Sequence, residues 1–255
     1  SARPDPESGG ERSLFLMTAA TTTTRPIGEN LRRAEIEGLL KLSAPGAIES
    51  LFGRARNVRD RHIGPFVYLR GIIELSNICA KDCRYCGIRK SNRDLERFLI
   101  PEDEIAAAAR NARNNGFTSI LLQAGECRDH EFVQLVERLI RRIKEESGGE
   151  TGITLSLGEQ RREVYRRWFA AGAHRYLLRI ETSNPKIYRS IHPGDHLHSV
   201  RKKCLEYLRE IGYQVGSGIL IGFPGQTAAD LAADACFLKE IDVDMIGMGP
   251  YIPHP

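Results

Sequence analysis

From residue 66 onward, short aliphatic runs alternate six times with longer amphipathic segments. The runs at 66–75, 118–123, 152–157, 174–180, 214–221 and 244–248 read as strands. The segments near 101–115, 129–147, 160–171, 197–211 and 227–240 read as helices. Strands joined by helices of this length run parallel, with right-handed crossovers, so few architectures remain. Glycine closes several helical segments, in Asn115–Gly116–Phe117, Ala171–Gly172–Ala173 and Ile211–Gly212–Tyr213, where a left-handed residue ends a helix. A closed barrel has eight such units over ~250 residues. The chain therefore reads as an α/β fold, a TIM-type (β/α) barrel that stops after about six βα units. An open doubly wound sheet is the rival, weakened by the lack of a Gly-x-Gly-x-x-Gly after the first strand.

Upstream, 28–43 carries a helical stripe of Leu31, Ile36, Leu39 and Leu40, and 47–60 a second helix with Ile48, Leu51 and Phe52. Residues 27–65 are thus expected to form N-terminal helices ahead of a barrel core at 66–255. Residues 1–26 lack hydrophobic periodicity and are rich in Ser, Thr, Ala, Pro and Gly, the composition of a disordered tail. Their Arg/Ser/Thr content faintly suggests a transit peptide, against which Asp5, Glu7 and Glu11 argue. The expected location is cytoplasmic, or an organellar stroma if the tail is a transit remnant.

Composition removes several function classes. No apolar run approaches the ~20 residues that cross a bilayer. A net charge of +4 in 255 residues is too small to argue for nucleic acid. Arg138, Arg141, Arg142, Lys144, Arg161, Arg162, Arg166 and Arg167 alternate with Glu at helical spacing and read as solvated faces. Six cysteines are too few for a disulfide scaffold, but three of them, Cys79, Cys83 and Cys86, lie within eight residues.

Those three stand in SNICAKDCRYCGIRK, directly after the first strand, with the spacing C-x3-C-x2-C. Thiolates are soft ligands that suit iron–sulfur clusters, zinc or copper(I). Three of them in one loop can hold three corners of a cubane and leave one iron open. Two other readings stand beside this one. The spacing also fits one face of a helix with buried thiols. A structural zinc would need a fourth ligand, for which Cys127 is the candidate. Cys204 and Cys236 sit in amphipathic segments and read as core thiols. His192, His196 and His198, in IHPGDHLH, read as a surface loop, since no acid or cysteine set of zinc spacing accompanies them.

Every later strand also runs into polar or Gly-rich residues: QAGE, SLGE, RIETSNP, GFPGQ and GPYIPHP. In a barrel these ends converge on one mouth, where active sites sit.

The cysteine motif, with Tyr85 before its last Cys, resembles the radical S-adenosylmethionine (SAM) superfamily. The resemblance implies a 4Fe–4S cluster on Cys79, Cys83 and Cys86, with SAM on the fourth iron. Reductive cleavage of SAM would then give a 5′-deoxyadenosyl radical. It also implies SAM contacts for Tyr85, for Ala124-Gly125-Glu126 (Gly-Gly-Glu in the family), and for Ser156, Glu159, Glu181, Arg201 and Gly222.

The combination LQAGE, TLSLGE, RYLLRIETSNP, GFPGQT and GPYIPHP is narrower. Over about residues 45–255 it resembles a family of radical SAM maturases that help build the H-cluster of iron–iron hydrogenases. That resemblance implies a substrate cavity lined by Gln123, Thr154 and Arg179, with Met245 lower in the barrel. It implies a small cysteine-derived or organometallic iron substrate and a one-electron donor such as ferredoxin or flavodoxin. Other hydrogenase maturation proteins are the further expected partners, and neither nucleic acid nor membrane is. Related mutases such as methylornithine synthase, biotin-synthase-like enzymes, and a non-catalytic metal-binding scaffold are the alternatives. Chains of this family run about two βα units beyond the IPHP segment, so two open sheet edges are expected here.

Overall fold

A computed structural model describes residues 31–254. The tail expected at 1–26, and residues 27–30 of the expected N-terminal helices, lie outside the described residues. Six strands, β1 (Gly71–Ser76), β2 (Ser119–Ala124), β3 (Gly152–Ser156), β4 (Arg175–Leu177), β5 (Gln214–Ile221) and β6 (Met245–Pro250), form one sheet in chain order. All five pairings are parallel. Two helices, α1 (Arg33–Leu40) and α2 (Pro45–His62), precede the sheet. The connections carry α3 (Glu102–Asn114), α4 (His130–Glu146), α5 (Arg162–Ala171), α6 (Pro185–Ile191), α7 (His198–Ile211) and α8 (Ala228–Glu240). This is the α/β architecture that the alternation dictates.

The two faces of the sheet have different jobs because side chains alternate along a strand. One face presents Ile73, Leu75, Ile120, Leu122, Ile153, Leu155, Tyr176 and Val215 to the helices, and all are buried. Val136, Ile140, Trp168, Leu205 and Leu208 close over them in one continuous core. The Trp168 indole satisfies its N–H on the Val133 carbonyl at 3.1 Å. Truncating a fully buried member such as Leu122 to Ala costs about 2–5 kcal/mol. The other face carries polar residues in register: Glu74 opposite Gln123, Gln123 opposite Ser156, and Thr154 opposite Arg175.

Three local expectations are corrected. The first strand starts at Gly71, not at 66, because pairing with β2 begins at Gly71↔Ile120. Phe66, Val67, Tyr68 and Leu69 are all exposed. The fourth strand is three residues long rather than seven: at Ile180 the N–H turns to the Ser217 hydroxyl (3.2 Å) instead of a backbone carbonyl. Third, a short helix, α6, follows it. Asn184 caps that helix by accepting from the Lys186 N–H, and Pro185 occupies the first turn, where its missing N–H does no harm.

Arginines expected on solvated faces do lie there, paired with acids. Arg138 pairs with Glu102, Arg141 and Arg167 with Glu137, and Arg142 with Asp103 and Glu146. Among the described residues β1 and β6 each pair with one other strand, and Ser76 at the end of β1 also bridges Leu99.

Candidate metal centre

The cysteine loop leaves β1 and is held by specific polar contacts rather than by regular structure. The Asn77 amide donates to the Glu96 carbonyl (2.7 Å) and its side-chain oxygen accepts from the Phe98 N–H (2.8 Å). Arg97 donates to the carbonyls of Asn77, Ile88, Arg89 and Asn92 at 2.6–3.0 Å, tying both ends of the loop together. The segment carrying the thiols is not helical, which disposes of the helix-face reading. Among the described residues every cysteine is free.

Strand β2 ends against this loop. The Ala80 N–H donates to the Glu126 carbonyl (2.8 Å), and the N–H groups of Lys81 and Glu126 point at the Cys79 sulfur (3.4 and 3.3 Å). The approach leaves no space at Gly125: a Cβ there would lie 2.7 Å from the Cys79 Cβ and closer still to the Ile78 carbonyl. Ala124 tolerates its side chain, since Glu181 and Asp242 are the only non-glycine residues at positive φ among those described. Cys127 sits beside the loop with its thiol 3.6 Å from the Ile78 carbonyl.

The loop's other wall is Ile191–His196, and here the surface-loop expectation fails. His192 and His196 are buried, 1% and 4% exposed. The cause is α6, which turns the following chain back under the cysteines. The Arg84 N–H donates to the Ile191 carbonyl at 3.0 Å. The Tyr85 hydroxyl lies 3.3 Å from His192 Nε2, and the Cys83 sulfur 3.7 Å from His196 Nδ1. His192 Nδ1 faces the Tyr188 carbonyl at 2.9 Å, an acceptor only, so that nitrogen carries the proton and Nε2 accepts from Tyr85. Burial drives His192 down to about 3 and the Cys83 thiol up to about 12. Ligand atoms of Cys83, His192 and His196 lie within 4.8 Å of one another, a group that includes none of Cys79, Cys86 and Cys127.

Beyond the thiols lies a buried charge network. Arg201 Nε is 2.7 Å from Glu159 Oε1, and Lys81 Nζ lies 3.2 Å from Glu159 and 3.6 Å from Glu126. Arg128 reaches both carboxylates, at 3.0 and 2.7 Å. Burial acts to raise both acids. For Glu159, Arg201 and Lys81 outweigh burial and hold the carboxyl below its ordinary range. For Glu126, burial and the Glu159 charge win, and the carboxyl is raised.

Glu181 lies beyond β4, in an isolated bridge to Ile219, with φ of 65°, a strained value for a residue with a side chain. It is buried, and burial raises its carboxyl despite Arg179 and Arg201. Its Oε2 lies 3.5 Å from Arg179 Nε, and neither atom makes a hydrogen bond. Thr154 Oγ1 is likewise buried without a partner. A buried polar atom left unsatisfied in a native fold calls for an explanation, and a bound ligand or ion is one such explanation.

The remaining expected residues divide by level. Gln123 donates to Glu74 (2.8 Å) beside Ser156, and Gly222, at φ 98°, donates its N–H to Gln226 (2.6 Å). Met245 lies at the opposite end of the sheet, lining a cavity of about 840 Å³ with Arg70, Arg175 and Gln214. That cavity is remote from the thiols, none of which line it. Lys81, Arg128, His192 and His196 belong to the site although the sequence did not single them out for it. Asn184–Pro185, the helix-start signal that folds His192 inward, was the available clue.

The donor set suits an iron–sulfur cluster: three thiols on one loop, N–H donors already aimed at Cys79, and unsatisfied acid and guanidinium atoms nearby. The family model for the radical SAM superfamily matches residues 73–238. The chain is 42% identical over 91% of its length to the [FeFe] hydrogenase maturase subunit HydE of Thermotoga maritima, covering 67% of that protein. It is 26% identical over 89% of its length to 3-methylornithine synthase of Methanosarcina barkeri, covering 64% of it. Among solved structures, methylornithine synthase (PylB) superposes with a TM-score of 0.81 at 25% identity, over 89% of this chain and 66% of that one. The maturase HydG of Carboxydothermus hydrogenoformans gives 0.77 at 26% identity, over 88% and 54%. The chain thus spans about two thirds of the length of the curated relatives it matches. It belongs to the radical SAM superfamily of enzymes, and within it to the HydE family.

Proposed function

We propose that this chain is the core of a radical SAM maturase of the iron–iron hydrogenase H-cluster, acting on a cysteine-bound organometallic iron precursor. The observation that carries the reading is the loop of three free cysteines backed by a buried acid–base network. Cys79, Cys83 and Cys86 would hold the 4Fe–4S cluster, and Glu126, Glu159, Glu181 and Arg201 would surround SAM. When bound, that cluster supplies one electron that splits SAM into methionine and a 5′-deoxyadenosyl radical.

The chain's own residues prepare the site. Glu181, buried and short of a hydrogen-bond donor, offers an oxygen to an ammonium. Arg201, locked by Glu159 and the Arg179 carbonyl, fixes a positive charge that repels a misplaced cation and favours a carboxylate. Arg179 Nε, ion-paired with Glu181 at 3.5 Å but without a hydrogen bond, would meet an anionic substrate group. Gln123 and Thr154 share that polar sheet face, with Met245 lower down.

Higher identity to the maturase than to the mutase favours the former. A ferredoxin or flavodoxin would donate the electron, and other maturation proteins would receive the product. Among the described residues no helix is long and apolar enough to cross a membrane. Free cysteines suit a reducing compartment such as the cytoplasm or an organellar stroma. The test is product analysis of the anaerobically reconstituted chain with dithionite and SAM. Methionine and 5′-deoxyadenosine are expected; intact SAM beside zinc-loaded protein would support a non-catalytic scaffold instead.

A further inference from the structure

The maturase reading leaves unexplained why two histidines are buried behind the cysteine loop. They are not ligands by the motif, and a buried imidazole without a partner is disfavoured. His192 has a complete account, since it donates to the Tyr188 carbonyl and accepts from Tyr85. His196 does not. Its Nε2 faces Asp195 at 3.6 Å, beyond hydrogen-bonding distance, and that carboxylate is largely exposed. Its Nδ1 faces the Cys83 sulfur at 3.7 Å, an ordinary N–H···S separation. The His196 N–H donates to the Pro193 carbonyl at 2.9 Å, and its imidazole lies 5.7 Å from that of His192.

We propose that His196 is a positioning residue for the cluster: its Nδ1–H donates to the Cys83 thiolate, fixing that ligand and raising the cluster's reduction potential. The inference rests on the maturase reading only in taking Cys83 as a cluster ligand. The physical reason is charge. A reduced cluster carries one more electron, spread partly over its sulfurs, and a donor aimed at one of them stabilises the reduced form more than the oxidised form. The three cysteines are served unequally. Cys79 receives two backbone N–H groups, whereas the Cys83 sulfur is met by side chains, the His196 imidazole and the Tyr85 hydroxyl. A side-chain donor can be removed without disturbing the loop's backbone, so the effect is separable.

The experiment is an EPR-monitored redox titration of the reconstituted chain as wild type, His196→Leu and His196→Asn. The Asn amide nitrogen occupies nearly the place of Nδ1 and keeps a donor; Leu fills the space without one. At equal iron content, the midpoint potential of the Leu variant is expected to shift negative while the Asn variant stays near wild type. A Leu variant that fails to load iron, beside a normally loaded Asn variant, also supports the donor. Equal potentials in all three proteins would overturn the proposal, as would an Asn variant that falls as far as Leu or an iron-free pair of variants. A wild-type chain that takes up no cluster overturns the maturase reading itself, and this inference with it.

Discussion

The guanidinium of Arg201, on α7, meets the carboxylate of Glu159, at the exit of β3, with Nε 2.7 Å from Oε1 and both side chains buried. The pair spans two βα units and orients Arg201 so that its Nη1 also donates to the Arg179 carbonyl at 2.6 Å. One contact thereby couples the segment after β4, which carries Arg179 and Glu181, to the exit of β3.

Breaking that pair from one side leaves a buried charge uncompensated. Glu159→Gln is expected to destabilise the cluster-free protein by about 3–5 kcal/mol near neutrality. The pH dependence has a definite sign. The folded-state carboxyl lies below its ordinary value of 4.5, so its contribution is complete above that value and is lost as pH falls through the lowered one. Denaturant unfolding at neutral and acidic pH measures this: the gap between wild type and variant should narrow on acidification. A gap independent of pH would contradict the assignment.

Gly125 marks where β2 and the cysteine loop touch. A methyl group there drives into the Ile78 carbonyl and the Cys79 Cβ, so Gly125→Ala should lower stability by about 1–3 kcal/mol and reduce iron loading. Wild-type values for the unfolding midpoint and the iron content would mean that the loop lies elsewhere.

Arg179 and Glu181 are two residues apart, both with unsatisfied atoms, and should separate by role. Glu181→Gln is expected to weaken SAM binding whatever the substrate. Arg179→Lys should leave SAM binding nearly intact and lower substrate-dependent turnover, because an ammonium does not reproduce a guanidinium fork. Isothermal titration of SAM into each variant decides: equal loss in both removes the distinction.

The strained backbone of Glu181 is held from a distance. Asp234, buried on α8, accepts from the Ser183 N–H (2.5 Å), the Ser183 hydroxyl (2.6 Å) and the Thr182 hydroxyl (3.3 Å). Asp234→Ala strands those donors, at about 1–3 kcal/mol for each one left buried. Weaker SAM binding should accompany the lower thermal midpoint. Stability loss with unchanged SAM affinity would show that the loop keeps its shape without Asp234.

The sheet was legible in the sequence because its core strands are two-faced. Ile120 and Leu122 bury on the helix side while Gln123 turns to the other, and that period of two survives any error at strand ends. The error at 66–70 arose because apolar character does not reveal whether a partner strand is opposite. The cysteine loop after the first strand was legible as a loop from its position in the sequence. His192 and His196 were not legible as part of the site, since their burial depends on α6 turning the chain under the loop, a tertiary event that local polarity misrepresents. Lys81 and Arg128 were hidden for a similar reason: each meets its acids only once the ends of β2 and β3 lie side by side.

The most direct measurement is metal content joined to EPR of the dithionite-reduced chain after anaerobic reconstitution, as wild type and as Cys79→Ala, Cys83→Ala and Cys86→Ala. A cluster held by these three thiols gives about four irons per wild-type chain, a reduced 4Fe–4S signal perturbed by added SAM, and loss of both in every single variant. Zinc in place of iron, or a Cys83→Ala protein that keeps the wild-type iron content and signal, would contradict it.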